Sequence, residues 1–448
     1  MVYDIKLFHK DVEYMFKKVG IDAKFTIIKT SNIKNPTIVM AMAAFRMPDP
    51  YKDESKYTNG LNLIFDNYEK IMPKSILRIY YDNSVLKKDD TWRFIIEKAK
   101  KTPFVELILF EFKQFKVKNS FYHEGVFGMI VRYFILFDFK GNDTAVGIDD
   151  IDAESVEYLI NVYDGIVKKA LKAIEKYKGT FVFGCYNYSA YIRKPRLMLS
   201  DITDKYHFNI RALTQPSVCQ VKLKKKILLD FMKCVLEKCK EYRHWMKETK
   251  NNMNCKYYNK ENIKRTQQCA YFKYLERLPT GAFMFGTDEY FLNSYILGDF
   301  LKNKRPFIVN YAMPQIVHYH YCIYNLFKAG KAPLYVMLDM YEYILGKKIH
   351  TKEEVHKAFN EVDKIVYVVD KEVGNYIIVN EETKKIMKKI YEFIAPRANI
   401  FIKIKDKEVY EDQMFHHLKT AKFEDLLTRR QLRLVEYKPN FEYTLTSV

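Results

Sequence analysis

Four apolar runs follow one another at intervals too long for hairpins and long enough for helices, and this spacing constrains the fold more than any other feature. They are TIVMAMAAFRM (37–47), SILRIYYDNS (75–84), VELILFEF (105–112) and TAVGIDDID (144–152). Runs so largely apolar predict buried strands, as in parallel sheets. The stretches between them carry helical spacing: Leu61, Ile64, Phe65 and Tyr68 within Asn59–Lys70, then residues 89–101, then Phe127, Ile130, Val131, Phe134 and Ile135. A further helix is expected over 155–178. Strands alternating with helices define an α/β fold with a mostly parallel, Rossmann-like sheet flanked by helices. In such sheets ligands bind beyond the carboxyl ends of the strands.

The second half is less regular. FVFGCYNYSAYI (181–192) reads as another strand, residues 222–277 as a basic helical region, and an apolar helix ends near Leu301. Residues 334–346 predict a short helix, and TKEEVHKAF (351–359) starts another at a threonine cap followed by glutamates. The tail mixes short strand-like runs, IVYVVD, NYIIVN and NIFIKIK, with charged helices. The expected organisation is therefore a main domain over 1–345 and a small α+β extension over 346–448. With only 15 Gly and 13 Pro, the composition argues against long flexible linkers.

No apolar stretch approaches the roughly 20 residues needed to span a bilayer, and the charged N-terminus, MVYDIKLFHKDVEYMFKK, lacks the pattern of a signal peptide. The seven cysteines are odd in number and form no CxxC pair, which fits free thiols in a reducing compartment. The expected location is the cytoplasm. Lys+Arg exceed Asp+Glu by 75 to 55, a formal charge of +20. That excess suits a polyanionic partner, although an AT-rich coding bias toward Lys, Asn, Ile, Tyr and Phe accounts for it as well. The basic region 222–277, with Tyr242, Trp245, Tyr257 and Tyr258 interleaved, is the candidate polyanion-binding surface; a solvated helical face is the competing reading.

The acids of DDID (149–152) are the strongest chemical signal. Two carboxylates one residue apart at a strand end can share a divalent cation, which takes oxygen ligands and bridges to a diphosphate. The same aspartates could instead cap the helix that follows. Asp149 leaves the register open among DD, DxD and DDxD, with Asp150 and Asp152 favoured. His318 and His320 in IVHYHYCIY alternate as on a strand, which would turn both to one face. Asp288 and Glu289 form an acidic pair at a helix start. Gly125 and Gly128 in HEGVFG open a helix without the GK[ST] of a phosphate loop, and are read as structural.

The stretch HEGVFGMIVRYFILFDFKGNDTAVGIDDID (123–152) resembles the segment of GT-A glycosyltransferases in which an arginine-bearing helix precedes the DxD strand. RIYYD, HxGxFGxxxR and DID together resemble glycosyltransferase-like proteins of large DNA viruses, over about residues 37–320. The resemblance implies a GT-A fold, a Mn²⁺ or Mg²⁺ ion on Asp150 and Asp152, and donor contacts from Arg132 and Asp138. It also implies nucleotide contacts near Arg78 and Asp82 and an acceptor-side acid at Asp288 or Glu289. A late histidine, His318 or His320, would complete the metal shell. The implied partners are a UDP- or GDP-sugar donor and a glycan or protein acceptor. A viral protein of this kind would act in the host cytoplasm, the virus factory or the virion. Two other classes compete: a metal-dependent nucleotidyltransferase or nuclease, which needs a third converging carboxylate, and a nucleic-acid or virion-associated binding protein on a degenerate transferase fold.

Overall fold

The computed structural model describes residues 5–47, 53–87, 89–117, 120–138, 144–178, 180–186, 210–211, 217–221, 223–233, 288, 291–311, 315–366, 379–403, 415, 418–427, 431–437 and 443–447. The chain divides into two compact units, Met1–Cys185 with Arg193–Asn303 and Tyr186–Ile192 with Lys304–Val448.

The first unit is α/β. Its strands are β1 (Ala23–Lys29), β2 (Ile38–Ala44), β3 (Ile76–Tyr81), β4 (Val105–Phe112), β5 (Ala145–Ile148), β6 (Phe181–Tyr186), β7 (Ile210–Arg211) and β8 (Ser217–Cys219). Their order is β1-β4-β3-β2-β5-β8-β6, with β7 on β6. The centre, β4-β3-β2-β5, is parallel, while β1 pairs antiparallel to β4 and β8 lies antiparallel between β5 and β6. Every residue of β2 and β3 is buried, which is why β2 reads as an unbroken apolar run and β3 as one interrupted only by Arg78.

The helices are α1 (Ile5–Lys17), α2 (Glu54–Ile71), α3 (Asp90–Lys101), α4 (Phe127–Val131), α5 (Val156–Val162) and α6 (Lys168–Lys176). Side-chain caps fix three of the starts: Asp53, Asp89 and Ser155 each accept a backbone N–H. α4 tightens into a 3₁₀ segment, Arg132–Phe137, whose six side chains are all buried. A π-helical turn, Tyr163–Val167, joins α5 to α6. In α1, Ile5, Phe8, Val12 and Phe16 supply the buried face. Another π-helical turn, Phe291–Leu297, leads into α7 (Gly298–Lys302), with Phe291 against Tyr133, Phe137 and Phe231. Of the expected basic helical region, residues 225–233 are helical and the rest lies almost entirely outside the described residues.

The second unit holds β9 (Phe307–Tyr311), α8 (Gln315–Lys328), α9 (Leu334–Leu345), α10 (Lys352–Val366), α11 (Glu381–Ile394), α12 (Ala398–Lys403), β10 (Gln431–Tyr437) and β11 (Tyr443–Ser447). β10 pairs antiparallel with both β9 and β11. Tyr319, Met337, Met340, Val355, Met387 and Ile390 belong to one helical core. Because β9 pairs with β10 and α8 shares that core, residues 304–345 group with the C-terminal region, and the division falls ahead of the expected boundary at 345. The threonine start of α10 is built as the sequence implies, with Thr351 accepting from Glu354 N–H and Glu354 from Thr351 N–H.

Two strand expectations are corrected. NIFIKIK contributes its first residues to helix α12, after Pro396. IVHYHYCIY lies in α8, so His318 and His320 are two positions apart on a helix and do not share a face. Among the described residues, no helix is long and apolar enough to cross a membrane.

His320 is buried in the second unit, its Nε2 3.0 Å from the Tyr341 hydroxyl and its ring stacked on Phe359. Burial pushes its pKa down to about 3. A depressed folded-state value means stability that is present above the unfolded pKa near 6.5 and is lost as pH falls below it. Urea titrations should therefore show wild type losing about 2 kcal/mol more than His320→Gln between pH 7 and pH 5. Equal losses would contradict this placement.

Candidate active site

The sheet reverses its winding at β2. From β2 the chain moves to β3 and β4 on one side, while β5 lies on the other. Such a switch point opens a crevice outside the carboxyl ends of the two strands. Here those ends are Ala44–Arg46 and Asp149–Asp152.

Asp149 N–H donates to Ala41 O at 3.0 Å, which ties the acidic turn to β2. The Asp149 carboxylate accepts from Asp150 N–H at 2.8 Å, and that of Asp150 from Ile151 N–H at 3.1 Å. Asp149 is buried, whereas Asp150 and Asp152 are half-buried. Burial, only partly offset by Asp150 N–H and the nearby Tyr163 hydroxyl, pushes the Asp149 carboxyl up to about 7. Tyr163 is placed by the π-helical turn and packs edge-on to Tyr68.

Arg132 is the centre of the site. It is 2% exposed, and its Nη1 donates to Asp149 O at 2.9 Å and lies 3.4 Å from Asp150 Oδ1. Its Nη2 donates to Asp288 Oδ2 at 3.1 Å. Burial opposes its charge, but Asp150, Tyr133, Asp288 and Asp149 together outweigh burial and raise its pKa. Arg132, Asp150 and Asp288, widely separated in the chain, are thus brought together. Asp288 is fully buried, so its carboxylate faces the arginine rather than solvent. Among the described residues, Arg132 Nε and Asp288 Oδ1 lack a hydrogen-bond partner, leaving the pair one donor and one acceptor to spare.

The other expected contacts are held within the fold. Arg78 is wholly buried, ion-paired with Glu106 at 2.7 Å and with Asp138. Asp82 accepts from Ser84 N–H at 3.0 Å and lies 2.7 Å from His123 Nδ1. His123 Nε2 accepts from Phe112 N–H, so Nδ1 bears the proton and donates to Asp82. Ser84 Oγ then accepts from Arg46 N–H at 2.7 Å, which fixes the chain leaving β2. His320 spends Nε2 on Tyr341. The side chain of His318, and all of Glu289, lie outside the described residues. No group of three His, Cys, Asp or Glu able to hold a metal occurs among the described residues.

Two glycines let the site close. A Cβ on Gly128 would overlap the Phe45 ring, so α4 rests directly on the chain leaving β2. A Cβ on Gly60, in α2, would overlap Ile151 O and come within 2.8 Å of Ala153 N. The acidic turn therefore lies against bare helix. Gly60→Ala should lower stability by about 1–3 kcal/mol and shift the chemical environment of Ile151–Ala153 in NMR spectra; unchanged spectra would contradict the close approach. Nothing in the sequence around Gly60 marked it.

Compared with family models, characterised proteins and solved structures, the chain matches none.

Proposed function

We propose that this chain is a metal-dependent glycosyltransferase of the GT-A type, moving a sugar from a UDP- or GDP-sugar to a glycan or protein acceptor. The observation that carries the reading is the half-buried pair Asp150 and Asp152 at the carboxyl end of β5, at the switch point of the sheet, with Arg132 held beneath. Two carboxylates one residue apart at a strand end suit Mg²⁺ or Mn²⁺, which is commonly held by one or two carboxylates while phosphate and water complete the shell. Asp150 and Asp152 would hold the ion. When bound, such an ion neutralises charge gathering on the departing diphosphate.

The chain's own residues support this chemistry in distinct ways. Arg132 orients Asp150 and the carbonyl of Asp149. Asp288 serves as counter-ion to Arg132. The His123–Asp82–Ser84 chain holds residue 46 just beyond the carboxyl end of β2. A nucleotidyltransferase or nuclease would call for a third carboxylate turned to the same ion, whereas Asp149 is buried and accepts from Asp150 N–H.

The reading is tested by nucleotide release from a panel of UDP- and GDP-sugars with Mn²⁺. Release from one donor class is expected, at least a hundredfold slower in Asp150→Ala and Asp152→Ala while both melt like wild type. Release that is unaffected by either substitution would overturn the site.

A further inference from the structure

We propose that Asp149 is a positioning residue, the support that fixes the geometry of Asp150 and Asp152, and not a third ligand. The inference rests on the proposed function only for its effect on nucleotide binding; the support itself is read from geometry. Each polar group of residue 149 holds a different part of the site. Its N–H goes to Ala41 O on β2 at 3.0 Å. Its carbonyl accepts from the buried Arg132 at 2.9 Å. Its carboxylate accepts from Asp150 N–H at 2.8 Å. The first peptide of the turn is therefore gripped from the strand, from the arginine and from its own side chain.

Exposure divides the three acids in the same way. Asp149 is buried between the turn and Tyr163, while Asp150 and Asp152 reach solvent. The backbone beyond is pressed on Gly60 of α2, so residues 149–153 are fixed at both ends. The function of the Asp149 side chain in this arrangement is to accept a hydrogen bond, which an asparagine oxygen also does.

The test compares wild type, Asp149→Ala and Asp149→Asn in the full-length protein. Amide hydrogen exchange over 149–153 is expected to speed up at least tenfold in Asp149→Ala and to stay within threefold of wild type in Asp149→Asn. Should the alanine variant fail to fold, Asp149→Val, which fills the space without an acceptor, takes its place with the same expectation. Exchange unchanged on loss of the acceptor, or equally fast in the asparagine variant, would overturn the assignment. Calorimetry with UDP or GDP and Mn²⁺ gives the consequence: at least tenfold weaker binding for alanine and near wild-type binding for asparagine. If wild type binds neither nucleotide, the transferase reading fails, while the exchange data still decide the role of Asp149.

Discussion

Arg132→Met should destabilise the chain by about 3–5 kcal/mol, because it leaves a completely buried carboxylate without its cation. Asp288 is the group left behind, and Arg132 is the cation bonded to it. Methionine fills much of the volume, so packing loss contributes little and the effect reports the charge. Asp150 is half-buried and regains water, and so adds less. The prediction has an internal control. Arg132→Met combined with Asp288→Leu removes both charges and should recover most of the loss, since an apolar pair of similar volume replaces the ion pair. Urea denaturation of the wild type, the single and the double variant measures this. A single variant as stable as wild type would show that Asp288 is not held as described.

Arg78→Met should have an effect at least as large, about 3–5 kcal/mol or outright failure to fold. Arg78 is the cation shared by Glu106 on β4 and Asp138 after the 3₁₀ segment, and all three side chains are buried. Two buried carboxylates would be stranded instead of one. Adding Glu106→Gln and Asp138→Asn should recover part of the loss, measurable in the same denaturation series. A single variant that folds with wild-type stability would contradict the triad. The role is distinct from the nucleotide contact that the family resemblance implied for Arg78 and the donor contact it implied for Asp138: both side chains are ion-paired inside the fold.

The particular residues show why some of this was legible in the sequence and some was not. β2, β3 and β4 were readable because strands covered on both faces are mainly apolar, and TIVMAMAA, ILRIYY and VELILFEF keep that character around Arg78, Glu106 and Glu111. The acidic turn was readable because three aspartates directly after the apolar AVGI place charge at a strand end. The pairing of Arg132 with Asp288 bridges 156 positions, and no local pattern encodes such a contact. The same holds for Asp82 with His123. Gly60 was hidden for a different reason: its value lies in an absent side chain, visible only once Ile151 lies against it.

The two misread strands share a cause. HYHY and IFIKIK alternate over four to six residues, and over that length alternation does not distinguish a strand from a turn of helix whose neighbours supply the burial. In α8, Tyr319 and Tyr321 are both buried beside His320 because helices pack around them on several sides. The charge along the N-terminus masks α1, although Ile5, Phe8, Val12 and Phe16 have helical spacing. β1, an edge strand with Lys24 and Lys29 among its residues, gave only a weak alternating signal.

The central claim, a cation-dependent nucleotide site on Asp150 and Asp152, is tested most directly by calorimetric titration of the purified protein with UDP and then GDP, each with and without Mn²⁺. The account predicts binding of one nucleotide that requires Mn²⁺ and disappears in Asp152→Ala, with the variant melting at the wild-type temperature. Binding that survives Asp152→Ala unchanged, or no binding of either nucleotide to the folded protein, would contradict it.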